Sequence, residues 1–151
     1  MPELIKVFIS YTTEDYEMAK KLYDDLKKAG VDPWLDREDL LVGENWKNKI
    51  YQVIQKYDYC LMLLSSKSVS KVGFVQKEIR IALDKMGILP PNKIFIIPVR
   101  LDDCKTSYEE LQELQWVDLF PNYDEGLEKI FKRVKFFLGN VIKNFPNISQ
   151  I

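Results

Sequence analysis

Two spacings of apolar residue alternate along this chain. Short, nearly unbroken apolar runs occur at Ile5-Lys6-Val7-Phe8-Ile9-Ser10, Tyr59-Cys60-Leu61-Met62-Leu63-Leu64 and Ile94-Phe95-Ile96-Ile97-Pro98-Val99. Such runs are expected of strands buried on both faces in a parallel sheet. Val31-Asp32-Pro33-Trp34-Leu35-Asp36 and Trp116-Val117-Asp118-Leu119 read as two further strands. Pro33 has no N–H for a ladder, which places its strand at a sheet edge.

Between these runs the apolar residues recur at helical spacing. Met18, Leu22, Leu26 and Ala29 form the face of a first helix that starts near Glu14 behind a threonine cap and ends at Gly30. A second helix is predicted from about Trp46 to Lys56. A third carries Val75, Ile79, Ala82, Leu83 and Met86 and ends near Gly87. The last starts near Asp124, with Leu127, Ile130, Phe131, Val134, Phe137 and Leu138 on its core face. Arg37–Asn45 and Ser65–Val72 read as polar loops, and Leu101–Gln115 as an irregular connection with room for a short helix.

Strands alternating with helices predict an α/β three-layer sandwich around a five-stranded parallel sheet. The order 2-1-3-4-5 satisfies the edge position of Pro33 and puts the switch point between strands one and three, where open sheets of this kind bind ligands. Three loops, Ser10–Thr13, Arg37–Trp46 and Ser65–Val72, then converge on the start of the third helix. There Phe74 and Glu78 stand four residues apart, on one side of the helix. Glu78 flanks the buried stripe beside the crevice.

At 151 residues and 46% hydrophobic content, the chain suffices for one domain with one substantial core. The domain is expected to span 1–151, with its core at about 5–138 and 139–151 as a C-terminal tail or the start of a linker. A net charge of -1, with lysines interleaved among acids, gives no basis for a nucleic-acid partner. No apolar run is long enough to span a membrane and the N-terminus lacks a secretory signal, so a cytoplasmic location is expected. The two cysteines, Cys60 and Cys104, build neither a disulfide framework nor a metal site, and Cys60 reads as a small buried hydrophobe. Asp102 and Asp103 read as a turn, and no metal site is expected.

There is no histidine. That excludes Ser-His-Asp and Cys-His catalysis, histidine-bound zinc and an imidazole proton shuttle.

Three motifs in register, Lys6-Val7-Phe8-Ile9-Ser10-Tyr11, then Asp36-Arg37-Glu38-Asp39-Leu40 through Gly43-Glu44-Asn45-Trp46, then Phe74-Val75-Gln76-Lys77-Glu78, resemble a TIR (Toll/interleukin-1 receptor) domain. The short loops and compact helices are similar to its bacterial and archaeal branch. The resemblance implies a flavodoxin-like fold and one of two roles. Some members are noncatalytic interaction modules that self-associate through the loop after the second strand, here Leu40, Leu41, Val42, Gly43, Glu44 and Asn45. Others are NAD+ glycohydrolases or cyclases in immune or antiphage defence, with an essential glutamate at the position of Glu78. Tryptophan is common one turn earlier, where this chain has Phe74, and proline is common before the loop glycine, where it has Val42.

The chemistry suits a chain without histidine. Nicotinamide leaves NAD+ as a neutral base and needs no general acid, so the usual carboxylate pair of glycoside cleavage reduces to one. That carboxylate can hold the ribose hydroxyls and stabilise an oxocarbenium-like transition state. Water or the adenine of the same molecule then attacks, giving ADP-ribose or a cyclic ADP-ribose. Tyr11, Trp34, Trp46 and Phe74 are candidates to stack on a ring, with Trp34 and Trp46 equally suited to packing. Ser10, Ser65 and Ser66 are candidates for ribose or phosphate, and Arg37 for the pyrophosphate, with Asp36 beside it in the same substrate-binding set. The backbone near Val72 and Gly73 offers N–H groups to an anion.

No cofactor is expected beyond NAD+ as substrate. The expected partners are NAD+, further copies of such a domain, and a downstream effector that responds to the nucleotide product. A nucleoside deoxyribosyltransferase also uses a glutamate on this scaffold and stays an enzymatic alternative. A phosphoacceptor receiver would need an aspartate at the end of the third strand, where Leu64-Ser65-Ser66 stands.

Overall fold

The computed structural model of the protein describes residues 4–70, 74–90, 93–106 and 109–134, with residues 74–78 as backbone alone. Five strands form one sheet: β1 (Lys6–Ser10), β2 (Asp32–Trp34), β3 (Tyr59–Leu64), β4 (Ile96–Arg100) and β5 (Val117–Asp118). They are all parallel and lie in the order β2-β1-β3-β4-β5. In register, Phe8 faces Trp34 on one side and Cys60 on the other, and Leu63 faces Val99. The helices are α1 (Tyr16–Lys28), α2 (Asp36–Asp39), α3 (Trp46–Lys56), α4 (Ser66–Val69), α5 (Phe74–Ile88), α6 (Glu109–Gln112) and α7 (Tyr123–Arg133).

The period of two along each strand divides the core into two layers. Val7, Ile9, Leu61, Leu63, Ile97 and Val99 face α1 and α7, meeting Leu22, Leu26, Ile130 and Phe131. Phe8, Cys60, Met62, Leu64 and Ile96 face the other way, toward Ile50 and Ile54 of α3 and Ile79, Ala82 and Leu83 of α5. The sheet is therefore covered on both faces, which is why its strands are apolar throughout. Trp34 stacks on Phe8 at 5.6 Å between ring centroids, so it belongs to the packing of the sheet.

The expected order, the edge position of Pro33 and the bounds of β3 and α3 agree with the structure. Several local expectations do not. The second strand stops at Trp34, and Asp36 opens the helical turn α2 instead of closing a strand. The turn is helical because both oxygens of Asp39 are used nearby: Oδ2 accepts the Leu35 N–H at 2.9 Å and Oδ1 the Tyr23 hydroxyl at 3.1 Å. The fourth strand begins at Ile96, two residues later than its apolar run.

The threonine cap also differs. A turn of 3-10 helix at Thr13–Asp15 precedes α1, and Thr12 donates its hydroxyl to Asp15 instead of accepting a backbone N–H. Ala19 and Tyr23 join Leu22 and Leu26 on the buried face of α1, while Met18 is half-buried. At the other end, Val31 N–H reaches Leu26 O and Gly30 N–H reaches Lys27 O, closing the helix as expected. Phe137, Leu138 and the segment 139–151 lie outside the described residues. No helix among the described residues is long and apolar enough to cross a membrane.

Candidate functional site at the carboxyl edge of the sheet

The chain leaves β1 toward α1 on one face of the sheet and leaves β3 toward α5 on the other. The floor of the crevice expected at that reversal is a buried polar cluster. Asp15 Oδ2 accepts the hydroxyl of Thr12 at 3.0 Å and that of Ser65 at 2.8 Å. Asp15, Thr12 and Ser65 are all buried. Burial of a carboxylate is tolerable here because two hydroxyls replace the water it gives up.

Ser65 has a second task. It caps α4 through a reciprocal box with Ser68, so the segment expected as a loop after the third strand begins with a helical turn. The signal is in the sequence as Ser65-Ser66-Lys67-Ser68, a hydroxyl three residues before another. Ser66 is tied in turn to the loop after β4: its N–H and Oγ both donate to Asp102, the Oγ at 2.8 Å. Asp102 thus serves as an acceptor that fastens two loops, which its neighbour Asp103 does not share.

Tyr11 leaves β1 buried, and its hydroxyl donates to Asp36 Oδ1 at 2.5 Å. Burial first, then the bond to Asp36 and its charge, push the Tyr11 phenol far up, so it acts as a neutral donor. Tyr16 donates to Glu38 at 2.6 Å, and the Arg37 guanidinium lies 4.3 Å from the centroid of the Tyr16 ring. With Tyr23 on Asp39, three tyrosines each hold one acid of the Asp36–Asp39 turn. No sequence pattern signals this clamp, because phenol and carboxylate are brought together only when α1 packs beside β2.

The clamp sets the base of the Leu40–Asn45 loop. Leu40 is half-buried against the α3 side of the core. Leu41 N–H donates to Glu44 Oε1 at 2.7 Å and Glu44 N–H returns to Leu41 O at 3.1 Å, closing a tight turn. Gly43 has φ of 89°, the left-handed geometry that such a turn demands and that glycine accepts without strain. Asn45 caps α3 by accepting the Asn48 N–H at 3.1 Å. The result is a firmly based loop whose tip bares two aliphatic side chains: Leu41 is 70% exposed and Val42 fully so.

Of the residues singled out from sequence, the structure brings Ser10, Tyr11, Asp36 and Ser65 to one edge of the sheet. Ser10 and Ser65 are buried there, while Ser66 and Arg37 are exposed. Trp46 starts α3 and is 37% exposed, with Lys47 Nζ 5.6 Å from its ring centroid. Phe74 and Glu78 are one turn apart at the N-terminal end of α5, which packs on the sheet through Ile79, Ala82 and Leu83. The side chains of Phe74 and Glu78, and residues Val72 and Gly73, lie outside the described residues. Among the described residues, no cluster of acids or cysteines is arranged to hold a metal ion.

A family model described as TIR domain matches residues 7–131. The TIR domain of the Toll-related receptor TRR-2 of Hydra magnipapillata superposes with a TM-score of 0.69 at 20% identity, over 85% of this chain and 97% of that one. The TIR domains of the activated Roq1 resistosome, which recognises the pathogen effector XopQ, superpose with a TM-score of 0.68 at 14% identity, over 86% and 99%. A TIR-STING receptor of C. gigas, solved with 2',3'-cGAMP, gives a TM-score of 0.66 at 22% identity, over 82% of this chain and 38% of that receptor. No curated protein matches the sequence.

Proposed function

We propose, from the premise that this chain belongs to the TIR domain family, that it cleaves the nicotinamide–ribose bond of NAD+ in an immune or antiphage signalling setting. The observation that carries the reading is the placement of Glu78. It lies one turn after Phe74 at the end of α5 that opens on the carboxyl edge of the sheet, beside the loops from β1 and β3.

In this reading the bond between the ribose C1′ and the nicotinamide nitrogen breaks with its electron pair going to the nitrogen. Nicotinamide leaves neutral, and positive charge develops on the ribose. The Glu78 carboxylate stabilises that charge and holds the ribose hydroxyls. Water attacks C1′ and releases a proton, giving ADP-ribose; attack by the adenine gives a cyclic product instead. Phe74 supplies a face for a flat ring, Trp46 a second, and Arg37 a cation for the pyrophosphate. Ser10, Tyr11, Asp36, Ser65 and Ser66 form the polar floor. Tyr11 and Ser65 already hold acids of the frame, so their part is to fix the floor's shape.

The test is NAD+ consumption, with products identified by mass spectrometry, across a range of protein concentrations. Wild type is expected to turn over NAD+, and Glu78→Ala to lose turnover while keeping its fold. A folded Glu78→Ala protein with full turnover would overturn the assignment.

The exposed Leu41–Val42 tip supports a second reading, a noncatalytic module that self-associates to scaffold signalling. Self-association without NAD+ cleavage at any concentration is the outcome that favours it.

A further inference from the structure

A separate cleft lies at the other end of the same sheet edge, beyond the carboxyl ends of β4 and β5. It measures about 490 Å³ and is lined by Arg100, Lys105, Gln112, Gln115, Trp116 and Asp118, with the buried Cys104 and Thr106 behind them. That volume falls in the range of small-molecule sites, roughly 300–1,000 Å³.

Most of its wall is fixed by internal bonds. Arg100 grips Asp118 with two parallel bonds, Nε to Oδ1 at 2.8 Å and Nη2 to Oδ2 at 3.0 Å, and its Nη1 also reaches Cys104 O at 3.2 Å. The Trp116 indole N–H is held by Leu111 O at 2.7 Å, and Gln112 Nε2 by Thr106 O at 2.6 Å. The ring and the guanidinium are therefore preorganised, which lowers the ordering cost of binding.

Two lining groups have no such task. The Lys105 ammonium and the Gln115 side-chain amide make no hydrogen bond or ion pair with any described residue. Charge on the lining comes from Arg100 and Lys105 against Asp118, a net of +1. Asp103 at its border also pairs with Arg100 Nη1 at 3.2 Å, which leaves the Lys105 ammonium as the cation available to an anion. Cys104, its thiol pushed up to about 11 by burial and then by Asp102, adds no negative charge near neutral pH. The cleft thus combines a held aromatic ring with a cation and an amide that no described residue engages.

We propose that this cleft binds a nucleoside monophosphate group. The phosphate sits at Lys105 beside the Arg100 guanidinium, the base lies against Trp116, and Gln115 hydrogen-bonds the edge of the base. The wall loop is the one whose Asp102 carboxylate holds Ser66, so an occupant is felt at the start of α4 as well.

The test is an NMR titration of the wild-type chain with AMP in the absence of NAD+, so it does not depend on whether the protein cleaves NAD+. The Trp116 indole resonance is identified by its absence in Trp116→Phe. AMP is expected to shift that resonance and the Ser66 amide saturably. Adenosine and ribose 5-phosphate, each carrying half of the recognised chemistry, are expected to bind at least about tenfold more weakly. Lys105→Glu, an exposed change, is expected to weaken AMP by at least about tenfold while its melting temperature stays that of wild type. No saturable shift at Trp116 up to about 10 mM AMP, or equal AMP binding by Lys105→Glu, would overturn the proposal.

Discussion

The hydroxyl of Ser65 donates to Oδ2 of Asp15 at 2.8 Å, joining two buried residues 50 positions apart in the chain. The bond spans the gap between the loops that follow β1 and β3, where the chain reverses its direction around the sheet. It holds the floor on which the proposed chemistry would take place.

This bond should be visible in stability. Asp15→Ala leaves the buried hydroxyls of Thr12 and Ser65 without their acceptor and is expected to cost about 2–3 kcal/mol. Asp15→Asn, which keeps one oxygen acceptor, should cost less. Ser65→Ala removes both a donor to Asp15 and the cap of α4, for about 1–2 kcal/mol. Urea denaturation measures all three, and a loss below about 0.5 kcal/mol for Asp15→Ala would show that water replaces the two hydroxyls freely.

The Leu41–Val42 tip makes a different kind of prediction, because it is exposed. Val42→Asp is expected to leave stability within about 0.5 kcal/mol of wild type. Under the assembly reading it should move the protein concentration needed for self-association upward by about tenfold or more. Sedimentation velocity checks the association, and an unchanged concentration dependence would remove the tip from the interface.

Alkaline pH should weaken the fold in a defined window. Burial pushes Cys104 up to about 11 and Tyr57 up to about 12, and Tyr11 and Tyr123 rise further through burial and bonds to Asp36 and Asp25. Each group is neutral when protonated, and each holds its proton more tightly folded than unfolded. Their contribution is whole below the ordinary values of 9.0 for the thiol and 10.0 for the phenols, and it is lost as pH rises through the folded values. Urea midpoints measured from neutral pH upward should hold steady to about pH 9 and then fall. A flat profile to about pH 12 would contradict the burial of these groups.

Gly126 predicts a steric limit. It lies on α7 where the helix crosses the end of β5, and a Cβ there would overlap the carbonyl oxygen of Asp118 and stand 2.7 Å from Leu119 Cδ2. Gly126→Ala is expected to cost about 1–3 kcal/mol despite alanine's better helix propensity. A stabilised variant by thermal melting would mean that α7 shifts freely away from the sheet.

What the sequence determined by itself is the sheet and its coverings. Apolar runs at Lys6–Ser10 and Tyr59–Leu64 and helical spacing over Trp46–Lys56 are local patterns, written into consecutive residues by which face must be dry. Pro33 marked the edge strand for an equally local reason, its missing N–H. The position of Glu78 near the start of α5 was legible in the same way, from spacing and from resemblance.

Only the tertiary structure decided which polar groups meet. Asp15 with Ser65, Asp102 with Ser66, and the three tyrosines on Asp36, Glu38 and Asp39 are pairs distant in the chain, and no periodicity encodes them. A carboxylate or hydroxyl has the same appearance in a sequence whether it is solvated or shared. Burial is what forces each to find a partner, and burial is a property of the packed layers. For that reason the sequence offers Ser65, Ser66 and Asp36 as candidate ligand groups without showing the partners, Asp15, Asp102 and Tyr11, that hold them in the fold.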